Sequence, residues 1–99
     1  MIDWIIIKGY DWDAGNARKS EEKHDVSRFE AEQVFVNEPL LIVDDVKHGT
    51  KEPRYHALGK TDEARLLHVT FTLRAADTLI RVISARDMHR KERKIYEQK

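Results

Sequence analysis

The chain has 99 residues, 18 Lys and Arg against 18 Asp and Glu, a formal net charge of zero with neutral histidines, and no cysteine. A length of this order is expected to make one domain, spanning 1–99, whose modest core leaves no room for an enclosed cofactor pocket, so no cofactor is expected. Disulfides and thiolate metal sites are excluded, no apolar run approaches the ~20 residues that span a bilayer, and balanced charge gives no overall pull toward nucleic acid, so a cytoplasmic protein with only a local polyanion site is expected.

Trp4 to Ile7 is β-rich and predicts an opening strand. Asp13 then offers an N-cap for a polar, mostly solvated helix over about Ala14 to Lys23. Val26-Ser27-Arg28-Phe29-Glu30 sets a serine three residues before a glutamate, a capping box, and Phe29, Val34 and Phe35 are expected on one face of a short helix ending near Phe35, before Pro39. The apolar period then changes from helical to alternating. Leu40 to Val43 and Arg54 to Leu58 read as strands either side of a loop holding Gly49 and Pro53. Leu66 to Leu73 alternates, with Leu67, Val69, Phe71 and Leu73 on one face and His68, Thr70 and Thr72 on the other, as in a half-buried antiparallel strand. Leu79 to Ser84 is a further strand interrupted by Arg81, and Ser84-Ala85-Arg86-Asp87 is expected to open a terminal helix as a second capping box. The expected class is α+β, an antiparallel sheet packed with N-terminal helices and a C-terminal helix.

Charge gathers at the end of the chain. From Arg81 to Lys99 there are seven basic residues and three acidic ones, so the neutral whole hides a basic terminus. On the expected last helix Arg86, Arg90, Arg93 and Glu97 form one stripe, while Met88, Ile95 and Tyr96 sit on faces that can approach the sheet. A guanidinium stays protonated and its fork grips two oxygens, which suits phosphate, although the same stripe suits an ordinary solvated helix face. Arg81 lies inside an apolar strand, where an unpaired charge is costly, so it has to reach a carboxylate, a carbonyl or a cleft edge. A structural ion pair and a catalytic role both stay open for it. The five histidines, at 24, 48, 56, 68 and 89, lack the i, i+4 pairing of helical zinc sites, so no metal is expected. Trp4 and Trp12 read as packing residues, with stacking on a base at a cleft rim as the alternative.

Several fragments, taken in order, resemble the BrnT family of toxins. They are Tyr10-Asp11-Trp12-Asp13, Lys23-His24-Asp25-Val26-Ser27 with Phe29-Glu30-Ala31, and Val34-Phe35 with Pro39. Glu52-Pro53-Arg54, Leu58-Gly59, and Arg65-Leu66-Leu67 leading to Val69, Phe71-Thr72 and Arg74 follow. The most specific fragment is Ile80-Arg81-Val82-Ile83-Ser84-Ala85-Arg86, with Glu92-Arg93 and Tyr96-Glu97 behind it. The resemblance implies a fold similar to that of the RelE ribonucleases and an endoribonuclease toxin neutralised by a BrnA-like ribbon-helix-helix antitoxin, with operator DNA reached only through that antitoxin and no membrane. The family commonly carries a lysine and an asparagine where this chain has Asn16 and Ser20, and a glycine where it has Asp25. Those departures favour an alternative: a weakly active or inactive toxin-fold module that binds its antitoxin and co-represses transcription.

The chemistry implied by the resemblance is attack of an RNA 2′-hydroxyl on the adjacent phosphate, which needs a base, an acid and cations around the developing dianion, and demands no metal. Lys23 and His24 are adjacent and point in different directions. An imidazole titrating near ~6.5 suits proton transfer, whereas Lys23 needs its pKa depressed to act as base and otherwise supplies charge. Glu52 is the carboxylate alternative for the base. Arg54, Arg81 and Arg86 are expected to hold the phosphate, with Arg90 and Arg93 contacting RNA and Tyr96 either packing or donating a proton. Against these roles stand a dipole partner for His24 and a strand-end ion pair for Glu52 with Arg54.

Overall fold

A computed structural model describes residues 2–45 and 52–98; Gly49 and His48, with most of the loop expected there, lie outside the described residues, as does the side chain of Asn16. The elements run β1 (Gly9–Tyr10), α1 (Ala14–His24), α2 (Arg28–Val34), β2 (Leu41–Asp45), β3 (Arg54–Lys60), β4 (Leu66–Arg74), β5 (Leu79–Asp87) and α3 (Arg90–Glu97). They form a five-stranded sheet in the order β1-β5-β4-β3-β2. The class is α+β, as expected, but the sheet is mixed: β1 runs parallel to β5, and all other pairs are antiparallel.

The opening strand is displaced from its expected place. Trp4 to Ile6 form a turn, because the Asp3 carboxylate accepts a hydrogen bond from the Ile5 backbone N–H at 3.1 Å, an alternative to strand pairing that aspartate readily offers. Pairing begins only at Gly9, and Ile5 is left 93% exposed.

Ser27 caps α2 as the sequence requires: its hydroxyl accepts from the Glu30 N–H and the Glu30 carboxylate accepts from the Ser27 N–H, both at 3.1 Å. This places Val26, Ala31 and Val34, all fully buried, against Tyr55, Ala57, Leu67, Val69, Phe71, Ile80, Val82 and Ala85 of the sheet. Phe29 does not join them. At ~100° per residue it lies about 140° around the helix from Val34, and it stays 62% exposed with the Arg28 guanidinium over its ring. The polar helix α1 is largely solvated, with Ser20 its buried side chain among those described. It ends on Asp25, at a left-handed φ of 54°, and Arg65 donates to the Asp25 carbonyl at 2.8 Å and the His24 carbonyl at 3.3 Å. Those bonds satisfy terminal carbonyls that a helix leaves open, at a position better suited to glycine.

The last strand is longer than the sequence suggested. Arg86 lies within β5, not on a helix, and α3 opens at Arg90 after His89, whose backbone N–H is taken by the Glu92 carboxylate at 2.8 Å. The Ser84 capping box loses to strand pairing, because Ser84, Ala85 and Arg86 continue the ladder against Thr70, Val69 and His68. A bulge at Ile83 shifts the register between Thr70 and Phe71. Its consequence is positional: Ile80, Val82 and Ala85 all reach the core, so Arg81, Ser84 and Arg86 share the opposite face, though residues 81 and 86 would otherwise fall on different faces.

That opposite face carries a second, smaller core, in which Met88 and Tyr96 pack on Leu58 with Leu41 and Leu66 beside them. Ile95, expected near the sheet, is 54% exposed. The Tyr96 hydroxyl donates to the Pro39 carbonyl at 2.6 Å.

α2 approaches the sheet closely at Gly59: a Cβ there would stand 2.7 Å from Val34 Cγ1 and 3.1 Å from the Val34 carbonyl oxygen. Gly59→Ala is expected to lower unfolding free energy by about 1–3 kcal/mol, and Val34→Ala in the same chain to cost less than it does in the wild type, because it clears the added methyl. Urea denaturation of the four proteins checks this, and strictly additive losses would contradict it.

Candidate active site

Alternation along the strands gathers the polar residues on the α3 face of the sheet. Asp45 on β2, His56 on β3, His68 and Thr70 on β4 and Arg86 on β5 lie next to one another, and Glu92 reaches down from α3. The register pairs His68 with Arg86 directly and sets His56 opposite Thr70, one step diagonal from His68.

Arg86 grips Glu92 with both prongs of its fork, at 2.8 Å and 3.0 Å. The nitrogen that donates to Glu92 Oε1 also donates to the Asp87 carbonyl at 3.0 Å, and the other donates to His68 Nδ1. A guanidinium can only donate, so His68 Nδ1 accepts and the proton of the neutral ring sits on Nε2, facing His56 Nδ1 at 2.9 Å. His56 in turn donates from Nε2 to Asp45 Oδ2 at 3.0 Å, with the Thr70 hydroxyl 3.1 Å from its Nδ1. One directed chain therefore runs from Arg86 through His68 and His56 to Asp45.

Charge supports that proton assignment. Burial, aided by the Arg86 charge, pushes the His68 imidazole down to about 4, which keeps it neutral at pH 7 although Glu92 lies 2.9 Å from its Nδ1. Burial alone would push the Glu92 carboxyl up, but the hydrogen bonds from Arg86 and from the His89 backbone outweigh it and hold it down at about 2.

The residues expected to act together are spread more widely. Arg81 is on the same face but is tied to Asp13 at 2.8 Å and Asp11 at 3.3 Å, and also donates to the Asp11 carbonyl. It clamps the chain where β1 leaves the sheet edge and turns into α1. Glu52 pairs with Arg74 at 3.0 Å instead of Arg54, and both partners are exposed. Arg54 opens β3 opposite Asp45. Lys23 and His24 are exposed in the last turn of α1, where His24 adds to the charges that hold the Asp87 carboxyl low, behind the hydrogen bond from Arg65. Arg90 and Arg93 are exposed on α3, and Tyr96 is buried beneath it. The stripe is therefore shorter than expected, since Arg86 sits below the helix and not along it. Trp12 is half-buried and donates to Glu32 at 2.8 Å, and Trp4 packs its ring 6.3 Å from that of Phe35.

Sequence reasoning missed His56, His68 and Glu92 as site residues, and Arg65 as the residue joining Asp87 at 2.8 Å and Glu30 at 3.0 Å. The alternation of His68 with apolar neighbours was the available signal; its partner His56 required the strand register. Among the described residues, no group of three or more His, Asp or Glu side chains is arranged to hold a metal ion, and no helix is long and apolar enough to cross a membrane.

A mixed sheet with arginines and imidazoles on one face and helices on both defines a small α+β protein suited to binding an anion. Residues 12–92 match the family of BrnT ribonuclease toxins of type II toxin–antitoxin systems, and the chain belongs to that family. Comparison with curated proteins finds no match. Family membership makes ribonuclease activity and an antitoxin partner the functional frame for the site.

The network predicts a pH dependence. His68 titrates at about 4 in the fold against 6.5 in its ordinary state, so between those values the unfolded chain holds a proton that the folded chain lacks, and stability falls as pH is lowered through that window. Glu92 adds its loss only below its ordinary 4.5, as pH falls toward about 2. Urea midpoints are expected to drop between pH 7 and pH 5, and His68→Leu to flatten that drop. An unchanged slope in the variant would contradict a neutral, buried His68.

Proposed function

We propose that this chain is a cytoplasmic, metal-independent endoribonuclease toxin, one RelE-like domain over 1–99, that cleaves RNA through the substrate's own 2′-hydroxyl and is neutralised by a BrnA-like ribbon-helix-helix antitoxin. The observation that carries this is the placement of Arg86 beside two imidazoles on the sheet face, under a helix whose exposed side bears Arg90 and Arg93. A phosphodiester needs cations that stay charged and geometry that grips two oxygens, and Arg86 supplies both. Arg54 lies on the same face and Arg90 and Arg93 line its rim, which suits them to the flanking phosphates. Lys23 and His24, close to the end of β5, are the candidates for acid and base from the α1 side, with Glu52 as the carboxylate alternative from the opposite side. Arg81 and Tyr96 serve by holding β1 and α3 in place. Contact with operator DNA runs only through the antitoxin, whose acidic segment is expected to cover Arg90 and Arg93.

A second reading, a weakly active module that binds antitoxin and co-represses, is favoured by the filled hydrogen-bond valences of Arg86 and by Asp25 at a position suited to glycine. Expression without a partner separates the two: growth arrest supports the enzyme and normal growth the module.

Purified protein is expected to cleave single-stranded RNA in excess EDTA and to leave 2′,3′-cyclic phosphate ends. Arg86→Lys keeps the charge and loses the fork, and is expected to slow cleavage about a hundredfold, in line with the ~3 kcal/mol that one well-placed donor to a developing oxyanion contributes. Cleavage that depends on a divalent ion, or full activity in Arg86→Lys, would overturn the mechanism.

A further inference from the structure

We propose that the Glu92 carboxylate occupies the place of an RNA phosphate in the fork of Arg86, so that RNA enters by displacing Glu92, while His68 is the positioning residue that keeps the guanidinium aimed once the carboxylate has left. The proposal rests on the reading that RNA binds this face, and names the subsite for its phosphate. All four N–H groups on the two terminal nitrogens of Arg86 are engaged: two on Glu92, one on the Asp87 carbonyl and one on His68. No second anion can take the fork while Glu92 is in it. A carboxylate and a phosphodiester present the same pair of oxygens to a guanidinium, so one replaces the other without Arg86 changing its rotamer.

The remaining anchors suit that exchange. His68 Nδ1 is an uncharged acceptor, so it orients Arg86 without neutralising it, and its tautomer is fixed from behind by His56 and Asp45. The Asp87 carbonyl is likewise uncharged. Glu92 is the one anion in the fork, and it is carried by a helix of eight residues whose buried contacts with the sheet are Tyr96 and the adjoining Met88. Displacing it removes the negative charge that masks Arg86 and leaves the arginine held at two points.

Binding of a 2′-O-methyl oligoribonucleotide, which cannot cleave itself, tests this independently of catalysis. In Glu92→Gln the side-chain carbonyl can still cap the His89 N–H, so α3 keeps its start while the ion pair is lost. This variant is expected to bind the oligonucleotide about threefold tighter or more than wild type, because the competing charge-assisted bond is weakened. Glu97→Gln removes the same charge from an exposed site on the same helix, and is expected to tighten binding much less. His68→Leu in the Glu92→Gln chain is expected to abolish most of the gain, and His68→Gln, which restores an acceptor, to recover part of it. Equal tightening in Glu92→Gln and Glu97→Gln, or weaker binding in Glu92→Gln with helix content unchanged by circular dichroism, would overturn the subsite. Tightened binding by a wild-type and variant pair that never cleaves RNA would sink the ribonuclease mechanism and leave the subsite standing.

Discussion

The bidentate contact between Arg86 and Glu92 is the interaction on which the rest of the polar face depends. It joins the last strand to the last helix, and without it α3 keeps a small apolar patch around Tyr96, Met88 and Leu58 and the hydrogen bond from Tyr96 to the Pro39 carbonyl. Ion pairs of this kind are poor sources of net stability, since two charges must leave water to form them. What the contact supplies is position: it draws the start of α3 over the place where Arg86 meets His68, from which a hydrogen-bonded chain runs across four strands to Asp45. The bulge at Ile83 is its precondition, because it turns Arg86 onto the face that already holds Arg81.

The two faces of the sheet divide the work. The α1 and α2 face is a continuous apolar core, with Phe71 at its centre packed edge-on against Phe35 at 5.0 Å and beside Tyr55 at 5.4 Å. Burial of this kind is the main favourable contribution to the stability of such a fold. The other face is then free to hold polar groups, provided each finds a partner. The chain from Arg86 to Asp45 meets that condition, and Thr72 meets it by donating to the carbonyl of Pro53 at 2.6 Å.

Much of this was legible in the sequence, for reasons that are local. The Ser27 capping box, the switch of period after Pro39, and the alternation of Leu67, Val69 and Phe71 each depend on a few neighbouring residues, and each appears in the structure. Most of the errors came where a distant partner decides. Ser84 to Asp87 has the letters of a helix cap, but the ladder to β4 holds it as strand, so the basic stripe read along a helix loses Arg86. Phe29 is a local exception: five residues before Val34, it falls about 140° around α2 and stays exposed. Arg81 had to reach a carboxylate, a carbonyl or a cleft edge, and chain order could not say that Asp11 and Asp13 would provide the carboxylates. His56 and His68 are 12 residues apart and become a pair only through the register of β3 and β4.

In the proposed function RNA lies on the face of the sheet that carries His56, His68 and Arg86, rimmed by α3. Amide chemical-shift mapping with an uncleavable 2′-O-methyl oligoribonucleotide tests that placement most directly. The largest shifts are expected on β3, β4 and β5 around these residues and on the first turn of α3. Shifts concentrated instead on α1 and α2, or on the apolar groove between Trp4, Tyr10 and Phe35, would contradict it.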